Sequence, residues 1–414
     1  MKVCVYRGTN EIGGNCIEVA TKNTRVLFDF GLPLSSMEED KPLTDYKVNC
    51  SGVYADEVPS VNAIFITHNH PDHYGLLPLI NPKIPVYMTK TLHEILVKIQ
   101  PLLPGEFDIS HLDIRDIDLN EIVKIGDLTI IAHPVDHAPS ACAYEVSDGT
   151  KRILYTGDIR FHSNQNWKSW KLADKTKNPD CLIMEGTRLS RSEATEKYPT
   201  EDAVYKKLIN VLQDSKKIAF ISMSSQNLDR LVSVIKACLV TERIFVIDPY
   251  TAALLDIFHE LSAKVPTVEM LQHVRIYYGG NPSMSSKLID KGMFYTHKSK
   301  KITIQEIEEN PEKYIVKYNS TLVKALLKNC VKDYDFIYSM WHGYLARSKT
   351  WDLYKEHLIE VHTSGHAQVS DLQEFVKKVS PNKIIPIHTE CKNDYADIFS
   401  VPIVVLNDNE MIEI

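Results

Sequence analysis

The sequence predicts an α/β protein in which a domain of packed sheets and flanking helices is interrupted by a second α/β domain. From Val3 to about Glu185, short strand-like segments dominate, with turns and a few helical stretches between them. After Glu185 the pattern changes to alternating helices and strands, and from about Glu360 short strands return around one helix. Many strands with helices between them favour packed sheets flanked by helices.

The predicted elements follow from hydrophobic patterning. The first part contains the apolar segments "VCVY", "CIEVA", "RVLFDFG", "NAIFITH", "PVYMT", "LTIIAHP", "ACAYEV", "RILYTGD" and "CLIMEG". The middle part alternates helices such as "TEDAVYKKLINVLQD" and "NLDRLVSVIKACL" with strands such as "KKIAFISM" and "RIFVID". Apolar residues of the second helix recur on one face, as expected for an amphipathic helix. The last part is predicted to hold strands in "IEVHTSG", "KIIPIHTE", "PIVVLN" and "EMIEI", around a helix at "DLQEFVKKV".

Composition limits the class of protein. With 44% apolar and 24% charged residues, the chain has the make-up of an ordinary soluble globular protein. No long apolar run and no signal-peptide pattern is present, so the sequence predicts a cytoplasmic protein with no membrane partner. The net charge is −7, yet residues 186–350 hold 24 Lys and Arg against 18 Asp and Glu. The middle of the chain is therefore the part expected to meet a polyanion.

The stretch "FITHNHPDHYGLLP", residues 65–78, crowds three histidines and an aspartate after an apolar strand. His68 and His70 lie two apart and so project to the same face of an extended chain. The turn that follows can bring Asp72 and His73 to the same pocket. Imidazole and carboxylate groups are ligands that zinc prefers. The stretch predicts a metal site, and its alternative is a polar loop of ordinary hydrogen-bonded histidines.

Three residues elsewhere complete a ligand set, because His137, Asp158 and His388 each come at or after the end of an apolar strand. One divalent ion can take His68, His70 and His137, a second can take Asp72, His73 and His388, and Asp158 can bridge them. Two divalent ions about 3.5–4 Å apart form a common clamp for in-line attack on phosphorus. The sequence thus predicts two divalent ions, with zinc as the first choice and manganese as the alternative.

These motifs resemble a known family. "THNHPDH", the later ligands and the early "LFDFG" resemble the metallo-β-lactamase fold. "HTSGHA" and "PIHTE", with the acidic residue of "LIMEGT", resemble its β-CASP branch, and within it most of all ribonuclease J and its prokaryotic relatives. The resemblance implies an αββα metallo-β-lactamase sandwich at residues 1–185 and 360–414. It also implies a β-CASP domain inserted at residues 186–359 that covers the metal site.

The resemblance further implies roles for single residues. Asp29 would orient the loop that carries the ligands. Asp72 would be both a metal ligand and a catalytic residue. Glu185 and His366 would pair near the scissile phosphate, where His366 protonates the leaving oxygen. An imidazole that titrates near neutrality and is held by a carboxylate is a suitable general acid. His388 occupies a position where some DNA-directed members carry valine, which favours RNA.

Substrate contacts are predicted in two places. The segment "SSQNLDR", residues 224–230, stands where ribonuclease J holds the RNA backbone and 5′ end, although Gln226 and Asp229 depart from that pattern. A glycine beside a small residue permits close approach of the backbone to a phosphate. The predicted contacts are Ser225, Asn227, Arg230, Ser364 and the backbone N–H of Gly365. The alternative for this segment is helix capping by Ser225 or Asn227.

The resulting prediction is a ribonuclease that hydrolyses phosphodiesters of single-stranded RNA through a metal-bridging hydroxide, as an exonuclease, an endonuclease or both. The products would carry 5′-phosphate and 3′-hydroxyl ends. Two other hydrolases stay open: one that acts on a small ester or cyclic nucleotide on the same fold, and a DNA nuclease. A noncatalytic nucleic-acid-binding module would be expected to lack some of the ligands. The oligomeric state, monomer or homodimer, also stays open.

Overall fold

In the computed structural model the chain is described over residues 1–37, 39, 41–102, 107–189, 199–280, 282–329 and 333–414. The chain divides into two compact units. The first contains Met1–Leu96, Phe107–Lys197 and Gly365–Ile414, and the second contains Val97–Glu106 and Tyr198–Ser364. The longer part of the second unit, Tyr198–Ser364, overlaps the insertion predicted at residues 186–359 but begins and ends later in the chain. The shorter part has no counterpart in the sequence prediction.

The secondary structure elements are numbered in chain order. The strands are β1 (Lys2–Arg7), β2 (Cys16–Ala20), β3 (Arg25–Phe28), β4 (Ala63–Phe65), β5 (Val86–Thr89), β6 (Ile114–Ile117), β7 (Ile122–Ile125), β8 (Leu128–Pro134), β9 (Cys142–Ser147), β10 (Arg152–Tyr155), β11 (Cys181–Glu185), β12 (Ile218–Ser222), β13 (Ile244–Ile247), β14 (Val274–Ile276), β15 (Tyr314–Lys317), β16 (Tyr334–Tyr338), β17 (Leu358–Glu360), β18 (Ile384–Ile387) and β19 (Glu410–Glu413). The α-helices are α1 (Pro71–Tyr74), α2 (Lys90–Ile99), α3 (Trp167–Lys175), α4 (Glu201–Asp214), α5 (Leu228–Thr241), α6 (Pro249–Leu261), α7 (Pro282–Asp290), α8 (Ile304–Glu309), α9 (Ser320–Asn329), α10 (Gly343–Arg347), α11 (Val369–Val379) and α12 (Tyr395–Ile398). Short 3₁₀ helices occur at Leu34–Met37, Leu43–Tyr46, Leu77–Leu79, Gln100–Leu102, Val268–Met270, Lys298–Lys300, Pro311–Lys313, Lys349–His357 and Lys392–Asp394.

The first unit is a sandwich of two sheets. One has the strand order β19-β1-β2-β3-β4-β5-β6, and the other has the order β18-β11-β10-β9-β8-β7. Alternate apolar side chains of both sheets meet in one core, where Phe28 of β3 packs on Tyr144 of β9 and Tyr155 of β10. Since the last part of the chain supplies one strand to each sheet, it completes both.

Helices cover the outer faces of the sandwich. Leu92 of α2 lies in the apolar cluster outside the first sheet. Leu172 of α3 and Phe375 of α11 lie in the cluster outside the second sheet. The amphipathic stripe of α11 explains why it packs there, because its buried residues recur three and four apart. The αββα arrangement predicted from the sequence is confirmed.

The second unit is built on a parallel sheet with the strand order β14-β13-β15-β12-β16-β17. The chain leaves β13 through α6 to β14, and it leaves the neighbouring β15 through α9 to β16 on the far side of β12. The connections after β13 and β15 therefore run in opposite directions, which makes a topological switch point at the carboxyl ends of these strands.

Two strand predictions for the last part are wrong. The strand in "IEVHTSG" is β17, which pairs with β16 in the sheet of the second unit and does not belong to the returning first unit. The segment "PIVVLN" forms no strand, and only a single bridge joins Ile403 to Ile384. Apolar content alone does not show whether a segment forms a strand or with which strand it pairs.

Side-chain caps mark where the helices of the second unit begin. Thr200 caps α4, Asn227 caps α5 and Asp248 caps α6, each by accepting a backbone N–H three residues later. Thr303 and Glu306 form a reciprocal capping box at α8. Within the described residues, no helix combines the length and the apolar character needed to cross a membrane.

Candidate metal centre

The predicted ligands all lie in the first unit, at or beyond the carboxyl ends of its strands. His68 and His70 follow β4, His137 follows β8, Asp158 follows β10 and His388 follows β18 directly, while Asp72 and His73 lie in α1. The structure brings all seven together in two groups. Asp158 belongs to the first group and lies beside the second.

The first group consists of His68, His70, His137 and Asp158. The Nδ1 atom of His70 lies 3.0 Å from Nε2 of His68 and 3.1 Å from Nε2 of His137. The Oδ2 atom of Asp158 lies 3.7 Å and 3.5 Å from those two Nε2 atoms. Four ligands at zinc distances in a tetrahedron are about 3.3 Å apart. The spacing therefore fits one tetrahedral divalent ion.

The second group consists of Asp72, His73 and His388, with Asp158 beside it. The Oδ2 atom of Asp72 lies 3.2 Å from Nε2 of His388, and Oδ2 of Asp158 lies 3.3 Å from Nε2 of His73. Nε2 of His73 and Oδ1 of Asp158 are buried without a hydrogen-bond partner. Buried polar atoms are rarely left unsatisfied. A cation that both groups bind would satisfy them, so the residues fit a metal centre.

Asp29 fixes the orientation of two ligand histidines. Its carboxylate accepts hydrogen bonds from Nδ1–H of His73 at 2.7 Å, from the Tyr155 hydroxyl at 2.5 Å and from the backbone N–H of Thr67 at 2.8 Å. The Thr67 hydroxyl also donates to Asp29 and lies 3.0 Å from Nδ1 of His68. Because both Nδ1 atoms carry the proton in this arrangement, the Nε2 atoms of His73 and His68 keep a lone pair for a metal.

Two further partners hold the other histidines. Nδ1–H of His137 donates to the carbonyl of Gly365 at 2.8 Å. The Thr187 hydroxyl donates to Oε2 of Glu185 at 2.6 Å and lies 2.7 Å from Nδ1 of His388. Since the Thr187 hydrogen points to the carboxylate, its oxygen accepts from Nδ1–H of His388. These contacts leave Nε2 of both histidines as the ligand atom.

Burial keeps the first group of histidines neutral. It lowers the pKa of His68 and of His137 well below the usual range, and neighbouring histidines lower both further. Burial also lowers the pKa of His70 to about 4. Neutral imidazole is the form that binds a metal, so these three side chains need to lose no proton first.

The carboxylates of the site are held ionised. Burial raises the pKa of Asp72, but the nearby His73 and His388 outweigh burial and the net shift is downward. Asp158 behaves in the same way, and its pKa falls well below the usual range. The same carboxylates raise the pKa of His73 and His388 despite their burial. The centre therefore concentrates negative charge that favours a cation, and a metal that binds His73 and His388 has to displace the proton that this charge favours on them.

Glu185 and His366 lie at the edge of this centre. Glu185 ends β11 and is 1% exposed, while His366 is 19% exposed. Oε1 of Glu185 accepts the backbone N–H of Ile159 at 2.8 Å, and Nδ1 of His366 lies 3.0 Å from Oε2. Nδ1 of His366 is also 3.8 Å from Oδ2 of Asp158. A buried carboxylate thus holds a partly exposed imidazole next to the metal ligands.

Glycines allow the loop that carries the ligands to pack tightly. A methyl group added at Gly31 would lie 1.7 Å from the carbonyl oxygen of Asp72. The neighbouring Phe30 N–H donates to the His73 carbonyl at 2.7 Å, and the Asn15 N–H donates to the Asp72 carbonyl at 3.0 Å. The motif "LFDFG" therefore supplies both the carboxylate of Asp29 and the space for the loop.

The predicted substrate residues of the second unit have internal partners. Asn227 caps α5 by accepting the Arg230 N–H at 3.1 Å. Arg230 is fully buried, and its Nε and Nη2 donate to Glu201 at 2.9 and 3.1 Å. The Ser225 hydroxyl is 2.9 Å from that of Thr251. The guanidinium of Arg230 is therefore engaged within the unit, and capping is the role that the contacts give to Asn227.

The other predicted contacts are Ser364, the last residue of the second unit, and Gly365, where the chain returns to the first unit. Ser364 is buried, and nothing lies within 4 Å of the position that a Cβ of Gly365 would take. The carbonyl of Gly365 already holds His137, so this glycine serves the metal site whatever its N–H binds.

Sequence reasoning missed several residues that position the ligands. Thr67 directly precedes His68, and Thr187 follows Glu185 by two, so both stood beside known motifs. Tyr155 and Gly365 also lie in motifs quoted above, "RILYTGD" and "HTSGHA". Their contacts to Asp29 and His137 could not be predicted, because these partners are 126 and 228 positions away in the chain.

Two family matches fall on the chain. Residues 25–220 match the beta-lactamase superfamily domain, and residues 355–397 match the Zn-dependent metallo-hydrolase RNA specificity domain. Together the two matches cover more than half of the chain. The chain belongs to the β-CASP branch of the metallo-β-lactamase superfamily. The family predicted from the sequence motifs is confirmed.

Relatives of this β-CASP chain match over part of their length. It is 26% identical over 202 residues to Probable RNase MJ4 of Methanocaldococcus jannaschii, covering 44% of this chain and 45% of the relative. It is 25% identical over 188 residues to transcription termination factor FttA of Methanosarcina mazei, covering 40% and 28%. It is 26% identical over 219 residues to cleavage and polyadenylation specificity factor subunit 3-II of Arabidopsis thaliana, covering 48% and 35%. The chain thus spans less than half the length of each.

A solved structure has the same fold as the β-CASP chain. The crystal structure of a protein of unknown function from Enterococcus faecalis V583 superposes with a TM-score of 0.76. The match covers 99% of both chains at 21% identity. This likeness shows the fold alone.

Proposed function

We propose that this protein is a metal-dependent ribonuclease that hydrolyses phosphodiester bonds of single-stranded RNA. The observation that supports it most is the ligand constellation around Asp158, with the Glu185–His366 pair directly beside it. The names of the relatives, a probable RNase and a cleavage factor among them, support RNA as the substrate. The surplus of Lys and Arg in residues 186–350 agrees with a polyanion.

The residues would hold two divalent ions, with zinc as our first choice. His68, His70 and His137 would bind one, Asp72, His73 and His388 would bind the other, and Asp158 would face both. When bound, such ions neutralise charge on a phosphoryl oxygen and lower the pKa of a bound water to near neutrality. The zinc-dependent description of the matched C-terminal domain supports this choice of metal.

The chain's own groups would position the phosphate and move a proton. His366 would donate a proton from Nε2 to the departing 3′ oxygen, while Nδ1–H stays bonded to Glu185. The Glu185 side chain would hold the imidazole in place before the transfer. The bonds from Ile159 and Thr187 keep the carboxylate in place, so His366 needs no rearrangement. The products would carry 5′-phosphate and 3′-hydroxyl ends.

The test is hydrolysis of end-labelled substrates by the full chain. Single-stranded RNA with a 5′-phosphate or a 5′-triphosphate would be compared with DNA of the same sequence and with a small phosphodiester. We expect RNA to be cleaved and the product ladder to show whether cutting proceeds from an end or internally. If the small diester is turned over rapidly while RNA is left intact, a small-molecule hydrolase replaces this proposal. DNA cleaved at the rate of RNA would remove the RNA assignment.

A further inference from the structure

A crevice opens in the second unit at the carboxyl ends of β13 and β15, where the connections of these neighbouring strands run apart. Open parallel sheets bind ligands at such switch points. The crevice has a volume of about 500 Å³, within the range of about 300–1,000 Å³ that is typical of small-molecule sites. Its lining belongs to the second unit, whereas the metal ligands belong to the first.

One lining residue of the crevice, Asp248, is held by a lysine that does not itself line it. Asp248 directly follows β13 and lines the crevice, and its Oδ2 atom is 2.8 Å from Nζ of Lys317. Its Oδ1 atom caps α6 by accepting the Thr251 N–H at 2.7 Å. Burial raises the pKa of Asp248, but Lys317 outweighs it and the net shift is downward. The Thr251 hydroxyl also donates to Oδ1 at 2.8 Å. An ionised carboxylate can accept about four hydrogen bonds, so Asp248 keeps an acceptor site for one hydroxyl donor of a ligand.

The remaining walls suit a flat ring and an anion. Tyr250 and Tyr318 line the crevice, and aromatic rings are surfaces on which a nucleobase packs. Met284 and Leu288 add apolar area. The first residues of α6, α7 and α9 also contribute to the lining, and the positive ends of helix dipoles favour an anionic group there. A base, a sugar with hydroxyls and a phosphate are the three parts of a nucleotide.

We propose that this crevice is a binding site for a ribonucleotide, whose ribose 2′-hydroxyl donates to Asp248. Dinucleotide-binding sheets use an acidic residue near a strand end in the same way, to bind ribose. The ligand is either a free mononucleotide or a nucleotide unit of an RNA. The site does not rest on the proposed hydrolysis, because no residue of the metal centre takes part in it.

The experiment measures equilibrium binding of adenosine 5′-monophosphate and its 2′-deoxy form to the full chain after removal of metal by chelation. Loss of one hydroxyl donor to a charged acceptor should weaken binding about tenfold or more. Ser285→Trp fills the crevice and should abolish binding of the ribonucleotide. Ser286→Trp changes the exposed neighbour, which does not line the crevice, and should leave binding unchanged.

Asp248→Asn provides a second variant, since asparagine still caps a helix. It should reduce the preference for ribose over deoxyribose. Circular dichroism of each variant checks that the fold is kept. A labelled RNA hexamer, competed with the mononucleotide, identifies the source of the ligand: competition assigns the site to RNA, and its absence assigns it to a free nucleotide. No binding by the unmodified chain, full binding by Ser285→Trp, or equal affinity for both sugars would each overturn the proposal.

Discussion

Single hydroxyl and carboxylate groups decide which ring nitrogen each ligand histidine presents. Asp29 and His388 both adopt left-handed backbone conformations, with φ of 59° and 50°. Such conformations are uncommon for residues other than glycine and tend to occur at functional sites. In this protein they accompany the contacts that aim Nε2 of His73 and His388 at the metal centre.

The Thr187 hydroxyl is a positioning group whose loss should weaken metal binding. Thr187→Val removes the hydroxyl contacts to Glu185 and His388 while keeping the shape of the side chain and the backbone N–H bond to Glu185. Loss of such a supporting contact typically costs about 10–100-fold in metal affinity. The measurement is competition for zinc against a chromogenic chelator. Thr187→Ser restores the hydroxyl and should restore the affinity, so unchanged zinc binding by the valine variant would contradict this role.

His366 should matter for the reaction and not for metal content. His366→Ala is expected to keep its zinc and to lose about 10²–10⁴-fold in the rate of RNA cleavage, the usual effect of removing a general acid. Elemental analysis and cleavage of labelled RNA are measured on the same sample. His342→Ala changes a histidine of the second unit with a 60% exposed side chain and serves as the control. A rate equal to that of the unmodified chain, or loss of zinc, would rule out the assigned role.

Among the secondary structure elements, the start of α5 and the segment before it make contacts that the sequence motif did not predict. The motif "SSQNLDR" predicts contacts to RNA, whereas its Asn227 caps a helix and its Arg230 pairs with Glu201. A sequence cannot show this pairing, because Glu201 comes 29 residues earlier and meets Arg230 only when α4 packs on α5. The positions of His68, Asp158 and His388 beyond strand ends were predictable, because a short apolar segment with a clear end precedes each of them.

The capping role of Asn227 leads to a prediction about stability. Asn227→Ala should lower the free energy of unfolding by about 0.5–2 kcal/mol, because the Arg230 N–H loses its acceptor. Asn227→Ser keeps a capping oxygen and should be nearly neutral. Urea denaturation compares the two variants, and RNA affinity is measured at a temperature where both are folded. Weak RNA binding by the serine variant at full stability would instead show that Asn227 contacts the substrate.

At the scale of the whole molecule, charge is divided unevenly along the chain. The first unit collects the buried carboxylates of the metal centre, while residues 186–350 carry an excess of basic residues. Composition predicted this division, but it could not show which lysines are engaged. Lys206 pairs with Asp202 at 2.6 Å, and Nζ of Lys300 donates to the Leu271 carbonyl at 2.9 Å.

RNA affinity should fall steeply with salt if the basic part of the second unit contacts the phosphates. Each neutralised phosphate adds about 0.7 to the logarithmic salt slope on a single strand. Charge reversal to glutamate at Lys207 and Lys301 should lower this slope. Lys206, Lys298 and Lys300 have partners in the protein and should respond less. The titration uses the chelated chain, so that RNA is not cut. A slope that none of the five reversals changes would place the RNA path elsewhere.

We propose that metal bound at the Asp158 cluster makes this protein a ribonuclease. The most direct test titrates zinc into the chelated full chain while bound zinc and cleavage of labelled single-stranded RNA are followed on the same sample. We predict no cleavage without metal, a rise with added zinc and a plateau at two ions per chain, and no comparable rise for Asp158→Ala. Cleavage that persists in the chelated chain, or a fully active Asp158→Ala variant, would show that hydrolysis does not depend on this metal centre.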